Sequence, residues 1–344
     1  MAIIMVEITC LRKWVTNMGD LFIDLGAIQS LKMAAPQSNI HDVSGSPKWL
    51  FEDRYYGLRK KIMEKMIPAS AIGKLIMGRD RLDRHVSKVS DWAFKTDKSL
   101  KNLFDLGLYM KTDYVVISGC VLNDYTIRRH GPTLMNLKRK NVKIIFNGAG
   151  GSNYGKSEVN IIRKFLSKIK PHAFISRDEQ VFERYQDLAR HTYSGVDCGF
   201  FINDFFQASE LELPKYAVLT FDRQPEPNLR LNYDLVIRTH HTNLLGDIPK
   251  EFFDKPNTLI SDSPEDYLNI YASADVIHSD MLHACVPTLS FGRPCKLYHE
   301  TPRSLLFDRV GLEEIKIKII YPDTYRIEKE KGKQIAFLSE ILSV

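Results

Sequence analysis

The segment His278-Ser279-Asp280-Met281-Leu282-His283 places two imidazoles and a carboxylate where a short apolar run ends. An imidazole gives or takes a proton near neutral pH, so either ring is a candidate for acid–base work. Ser279 or Asp280 is placed to cap a short helix, limited by Pro287, with His283 in its first turn. The five-residue spacing of the histidines does not match a helical zinc pair, and no further ligand set accompanies them, so no metal is expected. His278 reads as part of the strand and cap, which leaves His283 as the functional candidate. His240-His241, after "DLVIRT", forms a second candidate pair at an equivalent corner.

The run "HAFISRDEQVFERY" brings Ser176, Arg177, Asp178 and Glu179 to a helix start. Ser176 with Glu179 three residues on predicts a capping box. Arg177 is a cation in a first turn, where the helix dipole opposes it. It calls for an anion: Asp178, Glu179, or a bound phosphate or carboxylate held by the guanidinium fork. Three further corners follow candidate strands. In "TNMGDLFIDLG", Asn17 and Gly19 suit a tight turn and Asp20 an N-cap, and N–H groups opening a helix suit an anion. In "DYVVISGCVLNDY", Gly119 permits a sharp turn and Asn123 and Asp124 follow on the loop. In "VKIIFNGAGGSNYG", Asn147, Gly148 and Gly150 form a Gly-rich loop without dinucleotide spacing or the P-loop lysine. That loop either leaves room for a substrate or is a plain turn.

Apolar runs rich in β-branched residues must carry these corners. The pattern predicts strands at Ile3–Thr9, Tyr114–Ser118, Lys143–Phe146 and His172–Ile175, then Tyr216–Phe221, Leu235–Thr239, Thr258–Ile260, Asp275–His278, Thr288–Phe291 and Ile315–Ile320. Helical spacing fills the intervals, as in Val159–Ile169 with Ile162, Phe165, Leu166 and Ile169 on one stripe. The expected fold is α/β, with two doubly wound Rossmann-like domains facing a cleft and ligands at the strands' carboxyl ends. The boundaries read as 1–204, with a helical insertion at about 45–112, then 205–325, then a C-terminal helix over 326–344 that packs back on the first domain. The break falls in the polar, acidic stretch 202–214.

Within the insertion, residues 55–67 alternate an apolar stripe with Arg59, Lys60, Lys61 and Lys65. A membrane-surface helix is one reading; an amphipathic helix packed on the domain is favoured over it. The chain has 344 residues, 44% hydrophobic and 26% charged, with a formal net charge of +6. No run reaches the roughly 20 apolar residues of a membrane span, and basic residues follow rather than precede the first apolar run, the wrong order for a signal peptide. Five widely spaced cysteines without a CxxC pair fit a reducing cytosol, so a cytoplasmic location is expected, with membrane association through 55–67 as the further option. No nucleic-acid motif is present, and nothing in the sequence reports an oligomeric state.

Taken in order, "NMGDLFIDLG", "VVISGCVLND", "IIFNGAGG", "FISRDEQVFERYQDL" and "DVIHSDMLHACVPTLSFGRPCKLYHETPRSLLFDRVGL" resemble the polysaccharide pyruvyl transferase family over most of residues 15–312. The resemblance implies a fold similar to B-type glycosyltransferases. It also implies transfer of a pyruvyl group from phosphoenolpyruvate, as donor substrate without a cofactor, to hydroxyls of a free or lipid-linked glycan acceptor. Three departures stand out. Gly119 is followed by Cys120-Val121 where the family has more glycines. Met281 stands where it usually has Arg before Leu282-His283. Arg303 stands where it often has Lys. On this resemblance Arg177 binds a donor anion and His283 moves the proton, Asp20 or Asp178 serves the acceptor, and Arg177 or Arg303 compensates for the missing Arg. Asn17, Gly19, Gly119, Asn123, Asn147, Gly148, Gly150, His240 and Leu282 complete the expected substrate contacts. Two competitors are kept. One is a nucleotide-sugar-dependent glycosyltransferase of the same fold, for which Ser263, Glu265 and Asp266 at a helix start are the candidate contacts. The other is a non-catalytic glycan-binding relative.

Overall fold

The computed structural model describes residues 5–12, 17–44, 104–242 and 248–342. Runs such as YVVIS, AFIS and YAVLT are buried along their whole length. Such runs suit parallel strands covered on both faces, and they form the centres of two parallel sheets.

The first sheet contains β1 (Glu7–Arg12), β2 (Asn39–Ser44), β3 (Tyr114–Ser118), β4 (Lys143–Ala149), β5 (Ala173–Ser176) and β6 (His191–Ser194). Its order is β2-β1-β3-β4-β5-β6. The helices between its strands are α1 (Met18–Ala34), α2 (Asp124–Arg139), α3 (Lys156–Ile169) and α4 (Glu179–Tyr185). The second sheet contains β7 (Tyr216–Thr220), β8 (Leu235–Thr239), β9 (Thr258–Leu259), β10 (Val276–Ser279) and β11 (Cys295–Leu297), ordered β11-β10-β7-β8-β9. With it go α5 (Lys250–Phe253), α6 (Pro264–Ser273) and α7 (Leu282–Ser290). Both orders reverse direction beside a central strand, which is where doubly wound sheets place ligands.

The expected stripe on α3 buries Ile162, Leu166 and Ile169, with Phe165 half-buried. One apolar cluster joins Met18 and Phe22 of α1 and Phe200 and Phe201 of a 3-10 turn (Cys198–Asp204) to Val218, Ile277, Leu282, Val286 and Leu289 of the second sheet's layer. A last helix, α8 (Thr324–Leu342), returns to the first sheet. Its Leu338, Ile341 and Leu342 join Ile8, Tyr114, Val116, Ile145 and Ile175. Residues 46–109 separate as a second unit. Of these, 104–109 are described, and they hold a 3-10 turn (Leu106–Leu108) and a stacked Phe104–Tyr109 pair. The helical insertion expected at 45–112 and its basic segment 55–67 therefore lie largely outside the described residues. Among the described residues, no helix is long and apolar enough to cross a membrane.

Several expectations are corrected. Residues 288–290 are the end of α7 rather than a strand: this helix is buried on every side from Leu282 to Ser290, and a continuous apolar run does not by itself distinguish a buried helix from a buried strand. The strand that follows is β11, three residues long after Pro294. The Ile/Lys alternation over 315–320 is not a strand either. It holds a 3-10 turn (Glu313–Lys316), leaves Ile317 and Ile319 exposed, and meets the sheet through one bridge, Ile320 to Cys295. β1 runs from Glu7 to Arg12, later than Ile3–Thr9. β2 and β6, the edges of the first sheet, were not anticipated, since their half-exposed sequences NIHDVS and HTYS lack an apolar run.

Candidate functional site

Arg177 follows β5 directly, its N–H donating to Ala149 O at 3.1 Å. The side chain is fully buried. Its Nη1 donates to Asp197 Oδ2 at 2.8 Å, while Nε and Nη2 find no hydrogen-bond partner among the described residues. A Cβ on Gly150 would lie 2.2 Å from Arg177 Nε, so the Gly-rich loop packs its bare backbone against the guanidinium. Arg177 precedes the helix, whose N-cap is Asp178, so the first-turn placement expected from the sequence is not met; its ion-pair partner is Asp197, twenty residues on in the chain, rather than Asp178 or Glu179.

Asp197 is fully buried. Its Oδ1 accepts from Gly199 N–H at 2.8 Å, and its Oδ2 also lies 3.3 Å from His283 Nε2. Burial opposes its ionisation, but His283, Arg177 and the Gly199 N–H together hold it well below the usual carboxylate range. His283 sits in the first turn of α7, which Met281 opens without a side-chain cap. A Cβ on Gly19 would come within 2.8 Å of His283 Cβ, so α1 approaches α7 closely at that glycine. Burial, then Arg177 and Arg303, lower the His283 pKa against the opposing pull of Asp197, favouring neutral imidazole.

A cationic flank lies on the second sheet's side. Arg223 follows β7, and burial followed by Arg303 pushes its pKa down. Arg303 lies in a 3-10 segment (Pro302–Val310), and its Nε is buried without a hydrogen-bond partner among the described residues. No ion pair to a carboxylate involves Arg223 or Arg303 among the described residues. The nearby Asp280 carboxylate is occupied by the N–H groups of Asp222, Arg223 and Gln224, at 3.0, 2.8 and 2.8 Å. His299 belongs to this flank, its pKa lowered by burial and then by Arg223. The two guanidiniums repel each other, and Asp280 and Asp222 attract Arg223 only from beyond ion-pair distance, an arrangement suited to an external anion.

Gly19, Gly150, Arg177, His283 and Arg303 are therefore gathered between the two sheets, with Leu282 buried beside them. Met281, where the resemblance expects Arg, is buried in the shared apolar cluster. The other expected contacts have structural partners. Asn17 caps α1 through Gly19 N–H at 2.9 Å. Asn123 caps α2 through Thr126 N–H at 2.8 Å. Asn147 is buried, donating to Ser30 Oγ and accepting from Gln334, both at 3.0 Å. Gly119 and Gly148 turn the chain at φ of 77° and 62°. Asp20 is half-buried in the first turn of α1, where it raises the pKa of His241 against a strong burial effect. Asp178, not Ser176, caps α4 through Val181 N–H at 2.8 Å and accepts from Tyr154 Oη at 2.7 Å. The capping box fails because Ser176 is still within β5 and Glu179 accepts from Ser194 Oγ. Neither Ser279 nor Asp280 caps α7. Ser279 Oγ accepts from Met281 N–H at 2.8 Å, and Asp280 holds the 222–224 backbone.

His240 Nδ1 lies 3.6 Å from Asp222 Oδ2, which also accepts from His241 N–H at 2.9 Å. Burial, then the neighbouring Asp280, raise the Asp222 pKa to about 7. An unfolded-chain Asp ionises near pH ~4. Stability tied to Asp222 is therefore full below that pH and lost as pH rises through about 7. Asp222→Asn removes this loss. Urea unfolding is expected to show the variant gaining on the wild type by on the order of 2–4 kcal/mol between pH ~4 and ~8.

Asp197, Arg223, Asp222 and His299 escaped the sequence reading. Arg223 repeats the signal of Arg177, a cation just past a buried run, in "LTFDRQ". Asp197 carries no local signal, since its partners are 20 and 86 residues away.

Solved structures share the fold. A Listeria monocytogenes protein assigned as a UDP-N-acetylglucosamine 2-epimerase matches with a TM-score of 0.51 and 9% identity, covering 98% of this chain and 91% of that one. The UDP-N-acetylglucosamine 2-epimerase of Rickettsia bellii matches with a TM-score of 0.50 and 16% identity, covering 98% and 97%. At such identities the likeness shows the fold, a two-domain Rossmann-like arrangement similar to B-type glycosyltransferases. A search of curated proteins gives no match. A sequence profile of the polysaccharide pyruvyl transferase family matches residues 17–295, and with most of its length covered the chain belongs to that family.

Proposed function

We propose that the protein transfers a pyruvyl group from phosphoenolpyruvate to hydroxyls of a free or lipid-linked glycan, closing a cyclic ketal, in the cytoplasm and without a cofactor. The observation that carries this reading is the Arg223–Arg303 pair, with Arg303 acting on His283 and neither guanidinium in an ion pair with a carboxylate among the described residues. A donor bearing both a phosphate and a carboxylate satisfies such a pair. Protonation of the donor's methylene carbon leaves a cation at the adjacent carbon. A sugar hydroxyl oxygen bonds to that carbon and releases its proton. Phosphate departs with the electrons of its carbon–oxygen bond, and a second hydroxyl of the acceptor closes the ketal, releasing another proton. His283 is proposed for this proton traffic: its imidazolium form gives the first proton to the methylene carbon, and the resulting neutral ring takes the proton that the hydroxyl releases.

Incubation with phosphoenolpyruvate and a panel of glycosides, with phosphate release measured, is expected to find a productive acceptor. Arg223→Gln and Arg303→Gln are each expected to raise the KM for phosphoenolpyruvate by roughly 10–100-fold, the worth of a charged hydrogen bond. Thermal stabilisation by UDP or GDP but not by phosphoenolpyruvate would instead favour a nucleotide-sugar enzyme on this fold. Of the candidate nucleotide contacts of that alternative, Glu265 accepts from Ser263 Oγ, and Asp266 accepts from Ser261 Oγ, both at 2.6 Å.

A further inference from the structure

We infer that Asp197 is a positioning residue that locks His283 in the tautomer bearing its proton on Nε2, so that Nδ1 is the atom presented for proton transfer. This rests on the reading of His283 as the proton-handling group of pyruvyl transfer. An ionised carboxylate only accepts hydrogen bonds. Asp197 is fully buried, with Arg177 Nη1 at 2.8 Å and Gly199 N–H at 2.8 Å fixing both of its oxygens. His283 Nε2, 3.3 Å from Oδ2, must then be the donor in that contact. A neutral imidazole carries one N–H, which leaves Nδ1 as a bare lone pair.

The same geometry changes the place of Arg177. Its guanidinium is fully buried, its Nη1 is committed to Asp197, and the Gly150 backbone lies against its Nε. Arg177 acts on the substrate through Asp197 and His283, whereas Arg223 and Arg303 are the cations left to hold an anionic ligand. The ring of His283 also feels Arg303 and His241, so the acid limb of any pH profile belongs to Asp197, Arg177, Arg303, His241 and His283 together.

Nitrogen-15 NMR of histidine-labelled protein tests this without needing activity. The signal lost in His283→Gln identifies the residue. In the wild type it is expected to report a protonated Nε2 and an unprotonated Nδ1. Asp197→Asn is expected to relax that preference, lower kcat by roughly 10²–10⁴-fold and keep the KM for phosphoenolpyruvate within about threefold. It is also expected to shift the pH profile of kcat. A wild-type His283 protonated on Nδ1 overturns the inference whether or not any variant folds. So does an Asp197→Asn protein with unchanged tautomer and unchanged kcat. A failure of the functional reading looks different: the Nε2–H tautomer is present and depends on Asp197, yet phosphoenolpyruvate gives no phosphate release with any acceptor.

Discussion

Replacing Arg177 with methionine is expected to cost about 3–5 kcal/mol of folding stability, the usual effect of removing one partner of a buried ion pair. The physical reason is the carboxylate left behind. Asp197 is fully buried, and Arg177 Nη1 is its closest cationic partner at 2.8 Å. Without it, one N–H from Gly199 and the longer contact to His283 must hold a charge that burial already penalises. The sign of the pH dependence follows. The folded pKa of Asp197 is depressed, so its contribution is present above the unfolded carboxylate value of ~3.9 and fades as pH falls toward the folded value. The gap between wild type and Arg177→Met, measured by urea unfolding, should therefore be wide at pH ~7 and narrow in acid below pH ~4. Arg177→Met combined with Asp197→Asn should recover part of the loss, since the double variant has no buried charge to strand. A single variant as stable as the wild type would show that Asp197 is solvated or otherwise compensated.

His283→Gln is expected to lower kcat for pyruvyl transfer by roughly 10²–10⁴-fold, the range for removing a proton-transfer group. Glutamine retains a hydrogen-bonding group close to the Asp197 carboxylate but cannot cycle a proton near pH 7. Donor binding should survive, because Arg223 and Arg303 are untouched, so stabilisation of the variant by phosphoenolpyruvate should stay close to that of the wild type. That split between turnover and binding is the informative result. Loss of both together would mean that the substitution has disordered the α1–α7 contact, where Gly19 and His283 meet.

How far the site was legible depended on whether its signal was local. Arg177 follows β5 directly and His283 lies four residues past β10, and polar residues near the carboxyl end of a parallel strand are readable from a dozen residues. The buried strands β3, β4, β5 and β7 were readable for the same reason, each being a continuous apolar run. The edge strands β2 and β6 were not, because half-exposed strands do not need apolar residues on both faces. Asp197 was invisible for a different reason. It stands in "SGVDCGFF" as a lone acid, and only the return of the chain across both sheets brings Arg177 and His283 to it. The alternation of Ile and Lys over 315–320 misled because period-two patterning requires an available sheet edge, and only Ile320 reaches one. Ser176 misled because a capping box is a pattern of spacing, and β5 continues one residue further, through Ser176, with the cap falling at Asp178.

The return of α8 to the first sheet sets an order of assembly during synthesis. Leu338, Ile341 and Leu342 cover Ile8, Tyr114 and Ile145, and Gln334 accepts from Val196 N–H at 2.7 Å while reaching Asn147. The last strand of that sheet ends at Ser194, and the helix that covers it does not begin until Thr324. At ~5–20 residues per second of translation, the part of this apolar cluster that Leu338, Ile341 and Leu342 complete waits on the order of ten seconds, with Leu31 and Ala34 of α1 already available to it. The amino-terminal sheet is completed only as the carboxyl-terminal helix emerges.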